Sequence, residues 1–321
     1  MERLTIIVPV YNEEQVIEAF FARLRDVMNS LDLESEVMFI NDGSQDRSLD
    51  LIRNVAEGDS RVSFISLSRN FGKEAAMAAG LDHAEGDAVV VIDADLQDPP
   101  ELISDMVALW RKGYDTVYAQ RIERYGESWV KRGTAHYFYW LMQHISRLRI
   151  PKDTGDFRLL SRRAVLALRQ LPETNRFMKG LFAWIGYTQT PLRYSRDKRF
   201  AGDTKFNYWK LWNFALDGIT SFTTVPLKLA TYLGIFIALA AFAYGVFIVI
   251  RTLIFGDPVA GFPTLITVVL FLGGVQLLFL GILGEYIGRM FDETKRRPLY
   301  LMEEFYRSKR CYLDIQKGDN S

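Results

Sequence analysis

Residues 88–112 read AVVVIDADLQDPPELISDMVALWRK. The first five form an uninterrupted apolar run, as in a strand buried on both faces, and residues 100–112 carry apolar side chains at helical spacing after Pro100, which suits a first helical turn. Short apolar runs and amphipathic stretches alternate in this way over residues 1–170. This series predicts an α/β fold with a doubly wound, mostly parallel sheet, whose ligands bind beyond the carboxyl ends of the strands.

The alternation defines the predicted elements. The predicted strands are Leu4–Val10, Val37–Ile40, Val62–Leu67, Ala88–Ile92 and Thr116–Gln120. The predicted helices are about Glu13–Ser30, Asp46–Ala56, Lys73–Ala84 and Pro100–Lys112, with a later amphipathic helix over Ser161–Leu171. Polar residues at the carboxyl ends of these strands are therefore the first candidates for a ligand site.

Two uncharged apolar spans follow, Leu229–Ile250 and Thr264–Gly284. Each is long enough to cross a hydrocarbon core of roughly 30 Å, and a short link with Gly and Pro joins them, so they predict a transmembrane hairpin. Buried core helices are the alternative. Two aromatic segments with Lys and Arg, Trp129–Leu148 and Phe206–Phe222, are predicted to lie in the headgroup layer, although they could instead pack on the sheet domain.

These patterns divide the chain into four predicted parts. They are a catalytic domain over 1–200 that includes the first aromatic segment at 129–148, a second interfacial helix over 201–224, the hairpin over 225–288 (spans 229–250 and 264–284), and a cytosolic tail over 289–321. The 39 basic and 39 acidic residues cancel, so no whole-chain field points to nucleic acid. Cys311 is the only cysteine, which excludes an internal disulfide and fits a reducing compartment.

The segment after the fourth predicted strand carries the strongest chemical signal. Asp93 and Asp95 stand two residues apart at a strand end, an arrangement suited to a hard divalent cation that bridges to substrate phosphates. No G-x-G-x-x-G follows the first strand and no P-loop occurs, so a Gly-rich loop does not neutralise a diphosphate here, and a metal ion can do so instead. Two surface turn aspartates are the alternative.

Other polar groups follow the remaining strands. Asp42 could accept hydrogen bonds from a nucleobase, and Glu13 could hold a ribose hydroxyl or a neighbouring side chain. Asp156 stands before a helix, where an aspartate is more often a cap than a catalyst. The basic run 196–205 is either solvated surface or, beside a membrane, a site for an anionic lipid headgroup.

In this order, the motifs resemble those of glycosyltransferase family 2, and within it the polyprenyl-phosphate glycosyltransferases such as dolichol-phosphate mannose synthases and bactoprenol glucosyltransferases. The matching strings are PVYNE at 9–13, RNFGKEAA at 69–76, DADLQDPPE at 93–101, GDFRL at 155–159 and RFAGDTKF at 199–206. The nearest likeness is to the bactoprenol glucosyltransferases that serve O-antigen modification. Asn41-Asp42 stands where many relatives have two aspartates, and Thr204-Lys205-Phe206 where many have Ser-Lys-Tyr.

The resemblance implies a role for each matched residue. It assigns Asp156, Arg199 and Lys205 to catalysis, the last two at the acceptor phosphate. It assigns the metal–diphosphate site to Asp93, Asp95 and Gln97, and nucleotide-sugar binding to Pro9, Tyr11, Glu13, Asp42, Lys73 and Asp93. The fold it implies is the nucleotide-diphospho-sugar transferase fold of the GT-A type.

The implied reaction is the transfer of one hexose, glucose from UDP-glucose being our choice, to undecaprenyl phosphate in one inverting, Mg²⁺- or Mn²⁺-dependent step. Mannose or an amino-arabinose derivative are alternatives. A phosphate monoester with a second pKa of about 6 needs no strong base, so Asp156 is expected to orient groups rather than accept a proton. The implied partners are the nucleotide-sugar, the polyprenyl phosphate lipid and the membrane, with a homo-oligomer and a downstream flippase and glycosyltransferase of the pathway also allowed for.

Two rival functions are weaker. A processive polysaccharide synthase would need more membrane helices and a Q-x-x-R-W motif, and Gln143–Arg147 has the wrong spacing. A non-catalytic scaffold would not be expected to keep the site residues Asp93, Asp95, Asp156 and Lys205. Lys and Arg flank both spans (Lys205, Lys210, Lys228, Arg289, Lys295, Arg296, Arg297) while the link holds only Arg251 and Asp257, which predicts a multi-pass inner-membrane protein with a cytosolic catalytic domain and C-terminus.

Overall fold

The computed structural model describes residues 2–122, 154–194 except 172 and 175, 225–255 and 261–307. The predicted aromatic segments 129–148 and 206–222 lie outside these residues, as do Arg199 and Lys205. The chain forms two compact units, Met1–Trp212 with Pro298–Ser321 and Asn213–Arg297. The first unit contains a sheet, and the second contains two long apolar helices.

The sheet has eight strands. They are β1 (Arg3–Val10), β2 (Glu34–Asn41), β3 (Val62–Leu67), β4 (Ala88–Val91), β5 (Thr116–Arg121), β6 (Thr154–Ser161), β7 (Gln189–Tyr194) and β8 (Met302–Tyr306). Their order across the sheet is β7-β5-β6-β4-β1-β2-β3-β8. β6 runs antiparallel to β4 and β5, and β8 runs antiparallel to β3, while the other neighbours are parallel.

Eight helices are described. They are α1 (Ile17–Ser30), α2 (Ser48–Gly58), α3 (Lys73–His83), α4 (Leu102–Arg111), α5 (Arg162–Arg169), α6 (Met178–Trp184), α7 (Val225–Phe255) and α8 (Phe262–Lys295). The predicted α/β class and the five predicted strands are confirmed. Among the predicted elements of the first unit, the largest difference in bounds is at α1, which begins four residues later than predicted. The cause is that the backbone of residues 12–14 forms hydrogen bonds to the loop after β2.

Helices cover both faces of the sheet, which confirms the doubly wound arrangement. Ile6 and Val8 of β1 share one core with α1, α2 and α4. Ile7 points the other way, and a Cβ built on Gly80 of α3 would lie 2.4 Å from an Ile7 methyl carbon. Glycine therefore lets α3 approach the sheet closely, and burial on both faces explains the uninterrupted apolar strands.

Three strands, β6, β7 and β8, were not predicted. The stretch Thr154–Arg158 was expected to be a polar patch, but it is the first part of β6, whose residues 157–161 are buried. The sequence did not indicate this strand because its first residues are polar. They lie where the parallel strand β4 ends, at the carboxyl edge of the sheet. β8 falls in the predicted tail, and its exposed outer positions and two glutamates are typical of an edge strand.

Asp115 fastens β5 to β6 from a buried position. Its carboxylate accepts hydrogen bonds from Ser161 Oγ (2.9 Å), Thr188 Oγ1 (2.6 Å) and the Arg163 guanidinium. The Arg163 bonds lower the pKa of Asp115 to about 2 against the burial that would raise it, and the two hydroxyls add to the lowering. The carboxylate is therefore ionised in the folded protein at neutral pH.

We expect Asp115→Asn to lower the free energy of unfolding at pH 7 by about 1–3 kcal/mol, since it weakens several bonds to a buried charge. Because the folded pKa lies below the unfolded value, this contribution is complete above about pH 5 and is lost as pH falls toward 2. Denaturant unfolding of wild type and variant at several pH values measures it. The exposed Asp26→Asn is the control, and a difference that persists unchanged at pH 2 would contradict the assignment.

The second unit exposes apolar surface over most of its length. The windows Ala230–Phe247 and Phe271–Lys295 have mean hydropathies of 1.9 and 1.5, and none of their described side chains is buried within the protein. Phe242 and Leu277, for example, are each 71% exposed. Helices that are apolar and unburied suit a lipid environment, so α7 and α8 are long and apolar enough to cross a membrane.

Candidate active site

The carboxyl ends of β1 and β2 are joined by their following loops. The N–H of Asn12 donates to Ser44 Oγ at 3.0 Å, and Asn12 Oδ1 accepts from the N–H of Gln45 at 2.8 Å. The N–H of Glu13 donates to Ser48 Oγ at 2.9 Å. Asn12 has a φ of 54°, a left-handed conformation that asparagine tolerates better than most residues. These bonds hold the PVYNE segment, with the predicted ligands Pro9, Tyr11 and Glu13, against the loop that follows Asp42.

Asp42 is buried and braces the loop that precedes α3. Its two carboxylate oxygens accept from the N–H groups of Phe71 (2.7 Å) and Gly72 (3.0 Å). Burial raises the pKa of Asp42 and these N–H groups oppose the shift. Next to it, Gly43 has a φ of 62°, and a Cβ there would lie 2.4 Å from the backbone of Arg69. The predicted nucleotide-binding role of Asp42 stays a prediction, and the structure adds a structural role.

Lys73 joins two carboxylates that are far apart in sequence. Its Nζ lies 2.7 and 2.8 Å from the two oxygens of Asp93 and 2.5 Å from Asp156 Oδ2. Antiparallel pairing explains why the two carboxylates meet, because Val91 of β4 is opposite Arg158 of β6. Asp93 lies two residues after Val91 and Asp156 two residues before Arg158, so both lie at the same edge of the sheet. The structure thus brings together three residues that the sequence placed in separate motifs.

Asp156 is held as an anion. Burial would raise its pKa, but the nearby cations Lys73, Lys179 and Arg158 outweigh burial and lower it well below the usual range. Arg158 is itself buried, donates to the carbonyl of Gly155 at 3.0 Å and stacks on Phe182. The Oδ1 atom of Asp156 is buried, and no described residue donates a hydrogen bond to it. An anion with one unused oxygen can orient a ligand group or a neighbouring cation, but it is a weak proton acceptor.

The loop after β4 presents oxygen donors to the same place. Asp95 Oδ1 accepts from the N–H of Gln97 at 3.1 Å, and Leu96 between them has a φ of 58°. A branched aliphatic residue rarely adopts that conformation, so the surrounding structure must impose it. The result is a turn that keeps Asp95 close to Asp93, where the Asp95 charge adds to the burial that raises the pKa of Asp93.

These donors fit a divalent cation whose coordination is completed by a ligand. Among the described residues, no group of three or more His, Cys, Asp or Glu side chains could hold a metal ion. A small hard cation needs only one or two carboxylates when phosphates supply further oxygens. Asp93 already has one cation against it, the Lys73 ammonium, and the unused oxygen of Asp156 is nearby.

Sequence reasoning missed several residues around this centre. Tyr194 OH donates to Asp98, and the Arg121 Nε lies 3.4 Å from the same hydroxyl. A Cβ on Gly155 would lie 3.2 Å from a terminal nitrogen of Arg121, which places this cation beside the Asp156 segment. A cation directly after the predicted strand 116–120 was the available signal.

Glu74 is a second group that the sequence did not single out. It accepts from the N–H of Met178 at 3.2 Å and so ties α3 to α6. Burial, with the Asp156 charge in addition, raises the pKa of Glu74 to about 7. Glu74 stands in the matched string at 69–76, but no role was assigned to it there.

A doubly wound sheet binds its ligands at the carboxyl ends of its strands, and in this protein that edge carries both acidic and basic groups. Two further helices are long and apolar enough to cross a membrane. Residues 5–168 match the profile of Glycosyl transferase family 2, and residues 225–290 match the GtrB C-terminal hairpin. The chain belongs to glycosyltransferase family 2, so it is a glycosyltransferase.

Two curated relatives extend over nearly the full chain. An uncharacterized glycosyltransferase from Synechocystis is 51% identical over 98% of both chains. The SfII prophage-derived bactoprenol glucosyl transferase of Shigella flexneri is 48% identical over 95% of this chain and 99% of its own. Among solved structures, glucosyl-3-phosphoglycerate synthase from Mycobacterium tuberculosis aligns with a TM-score of 0.46 and 21% identity over 68% of this chain and 78% of its own, a likeness that carries no functional argument.

Proposed function

We propose that this enzyme transfers a single glucose from UDP-glucose to a polyprenyl phosphate, with undecaprenyl phosphate as the carrier. The observation that carries the proposal is the 48% identity to a bactoprenol glucosyl transferase, which extends over 95% of this chain and therefore through both the sheet unit and the hairpin. The site supports it, because the carboxyl edge combines oxygen donors with a lysine, as a diphosphate-bearing donor requires.

The proposed reaction uses a divalent cation, Mg²⁺ or Mn²⁺, held by Asp93, Asp95 and Gln97. When bound, such a cation would stabilise the negative charge of the departing nucleoside diphosphate. Pro9, Tyr11, Glu13, Asp42 and Lys73 belong to the proposed nucleotide-sugar site. Asp42 contributes through the 69–72 loop, whose N–H groups it holds.

The acceptor needs little activation in this mechanism. A lipid phosphate with a second pKa of about 6 is mostly a dianion near neutral pH, so its oxygen can attack the anomeric carbon without a general base. Asp156, whose pKa is lowered, orients the cations and ligands around it. Attack opposite the departing diphosphate inverts the configuration of the sugar.

One assay tests the proposed substrates. Detergent-solubilised protein is incubated with undecaprenyl phosphate and a panel of radiolabelled nucleotide-sugars, and labelled lipid is extracted. We expect label to enter the lipid from UDP-glucose in preference to GDP-mannose or an amino-arabinose donor, and the product to carry the inverted anomeric configuration. Preferential labelling by another donor would overturn the choice of sugar, and labelling only of water-soluble products would overturn the lipid acceptor.

We propose that Arg199 and Lys205 bind the acceptor phosphate. Lys205→Ala is then expected to lower kcat/KM for the lipid by about 10–100-fold, with UDP affinity nearly unchanged, because it removes a charged contact to the acceptor alone. Steady-state kinetics and UDP titration measure the two quantities. Lys210→Ala, in the same stretch, is the matched control. Equal weakening of UDP binding would move Lys205 to the donor site.

We propose that both spans cross the inner membrane, with the catalytic unit and the C-terminus in the cytosol. The proposal is supported by the excess of Lys and Arg outside the spans relative to the link. Reporter fusions after Ser321 and near Asp257 are expected to report opposite sides, with Ser321 cytosolic. A periplasmic signal at Ser321 would reverse the orientation.

A further inference from the structure

The ammonium of Lys73 is the shared counter-charge of two carboxylates. It lies within 2.8 Å of both oxygens of Asp93 and 2.5 Å from Asp156 Oδ2. The Asp93 and Asp156 side chains are only 26% and 14% exposed, so water compensates them little. The Lys73 ammonium is thus the cation that the two carboxylates share, while Lys179 and Arg158 act on Asp156 as well.

The fold, rather than a chance rotamer, places this ammonium. Lys73 is the first residue of α3, and the preceding N–H groups of Phe71 and Gly72 are held by Asp42. Residues 75–81 of α3 are buried against the sheet, and this packing fixes the position of the helix that begins at Lys73. The Lys73 side chain is nevertheless 42% exposed, so its long stem has room to turn toward a ligand.

A divalent cation and this ammonium compete for one carboxylate. Asp93 Oδ2 accepts a hydrogen bond from Lys73 and Oδ1 forms an ion pair with it, so a metal ion that coordinates Asp93 must approach a positive charge or displace it. A nucleoside diphosphate removes the conflict in two ways. Its oxygens supply further metal ligands, and its negative charge attracts the ammonium away from Asp93.

We propose that Lys73 is a built-in cation that occupies Asp93 in the free enzyme and releases it only when a nucleoside diphosphate arrives, so that metal and donor bind together. Lys73 is in this respect a positioning residue for the metal site. The inference rests on the proposed metal-dependent function and adds that tight metal binding requires the nucleoside diphosphate. It also explains how each of the two partly buried carboxylates has a positive charge beside it before a ligand binds.

Mn²⁺ binding to the full-length protein in detergent tests this proposal directly. The electron paramagnetic resonance signal of free Mn²⁺ measures the binding, with and without UDP. Wild type is expected to bind Mn²⁺ weakly alone and at least about tenfold more tightly with UDP. Lys73→Met is expected to bind Mn²⁺ alone at least about tenfold more tightly than wild type and to gain less from UDP. Lys73→Arg keeps the charge and is expected to keep Mn²⁺ binding weak in the absence of UDP. The exposed Lys112→Met is the matched control and is expected to behave like wild type.

Thermal unfolding of each variant checks that the fold is retained, and Lys73→Gln replaces Lys73→Met if the latter unfolds. Mn²⁺ affinity without UDP that is equal in wild type and the uncharged variant, with normal UDP enhancement in both, would overturn the role of Lys73 and leave the metal site intact. Failure of all proteins to bind Mn²⁺ even with UDP would overturn the metal site itself and this inference with it. Sugar transfer to lipid is measured separately, so the proposed reaction is judged on its own result.

Discussion

Asp95→Asn is expected to abolish sugar transfer while leaving the protein folded. Asp95 follows Asp93 on the loop after β4, and its backbone neighbours hold it in a strained turn. Loss of a cation that stabilises the departing diphosphate removes several kcal/mol of transition-state stabilisation, which corresponds to a fall of about 10³-fold or more in kcat. The amide keeps the size of the side chain and can still accept from the N–H of Gln97, so little change in unfolding temperature is expected.

Radiolabel transfer and thermal unfolding of the same preparation measure the two effects. Asp105→Asn is the matched control, because Asp105 is exposed on α4 and is not a proposed ligand. A variant that kept near-normal turnover, in the presence of EDTA, would show that the metal assignment is wrong. Such a result would leave the membership of glycosyltransferase family 2 untouched.

Removal of residues 225–297, replaced by a flexible Gly/Ser linker, is expected to separate donor binding from lipid transfer. The shortened chain keeps the carboxyl edge of the sheet and should bind UDP as the full chain does. Its kcat/KM for undecaprenyl phosphate should fall by about 100-fold or more. A long polyprenyl tail leaves a bilayer or micelle at a cost of about 0.8 kcal/mol for each CH₂, so the phosphate must be met at the headgroup plane.

A short-chain polyprenyl phosphate provides the control, since its transfer should fall much less. UDP titration and transfer to both acceptors complete the experiment. Equal losses with long and short acceptors would mean that the hairpin supports the catalytic unit rather than the meeting with lipid.

The design of that variant depends on β8. The strand lies after the hairpin in sequence but pairs with β3, and Tyr306 stacks on Phe64 with ring centroids 5.4 Å apart. Further ties are the bonds from Arg53 to Glu304 and from Tyr300 to Asp82. A chain that ends before the hairpin would therefore expose the β3 edge and its apolar face. The linker variant must retain residues 298–307.

Local order in this protein was readable from its sequence. Strands buried on both faces give continuous apolar runs, helices give a period of 3.6 residues, and membrane spans give long uncharged stretches, so each signal lies within a short window. β1–β5, α1–α4 and both long helices were predicted on that basis. The pair Asp93 and Asp95 was recognisable because both ligands come from one strand end.

Tertiary structure alone decided which distant residues meet. β6 carries Asp156 to Asp93 because it pairs antiparallel with β4, and that pairing depends on register and sheet order, which no local pattern records. The same holds for β8, which follows the hairpin in sequence and pairs with β3. Lys73 was named from its motif, but its bonds to both carboxylates follow from where α3 packs on the sheet, since a side-chain contact over 83 residues of sequence exists only once the strands are paired.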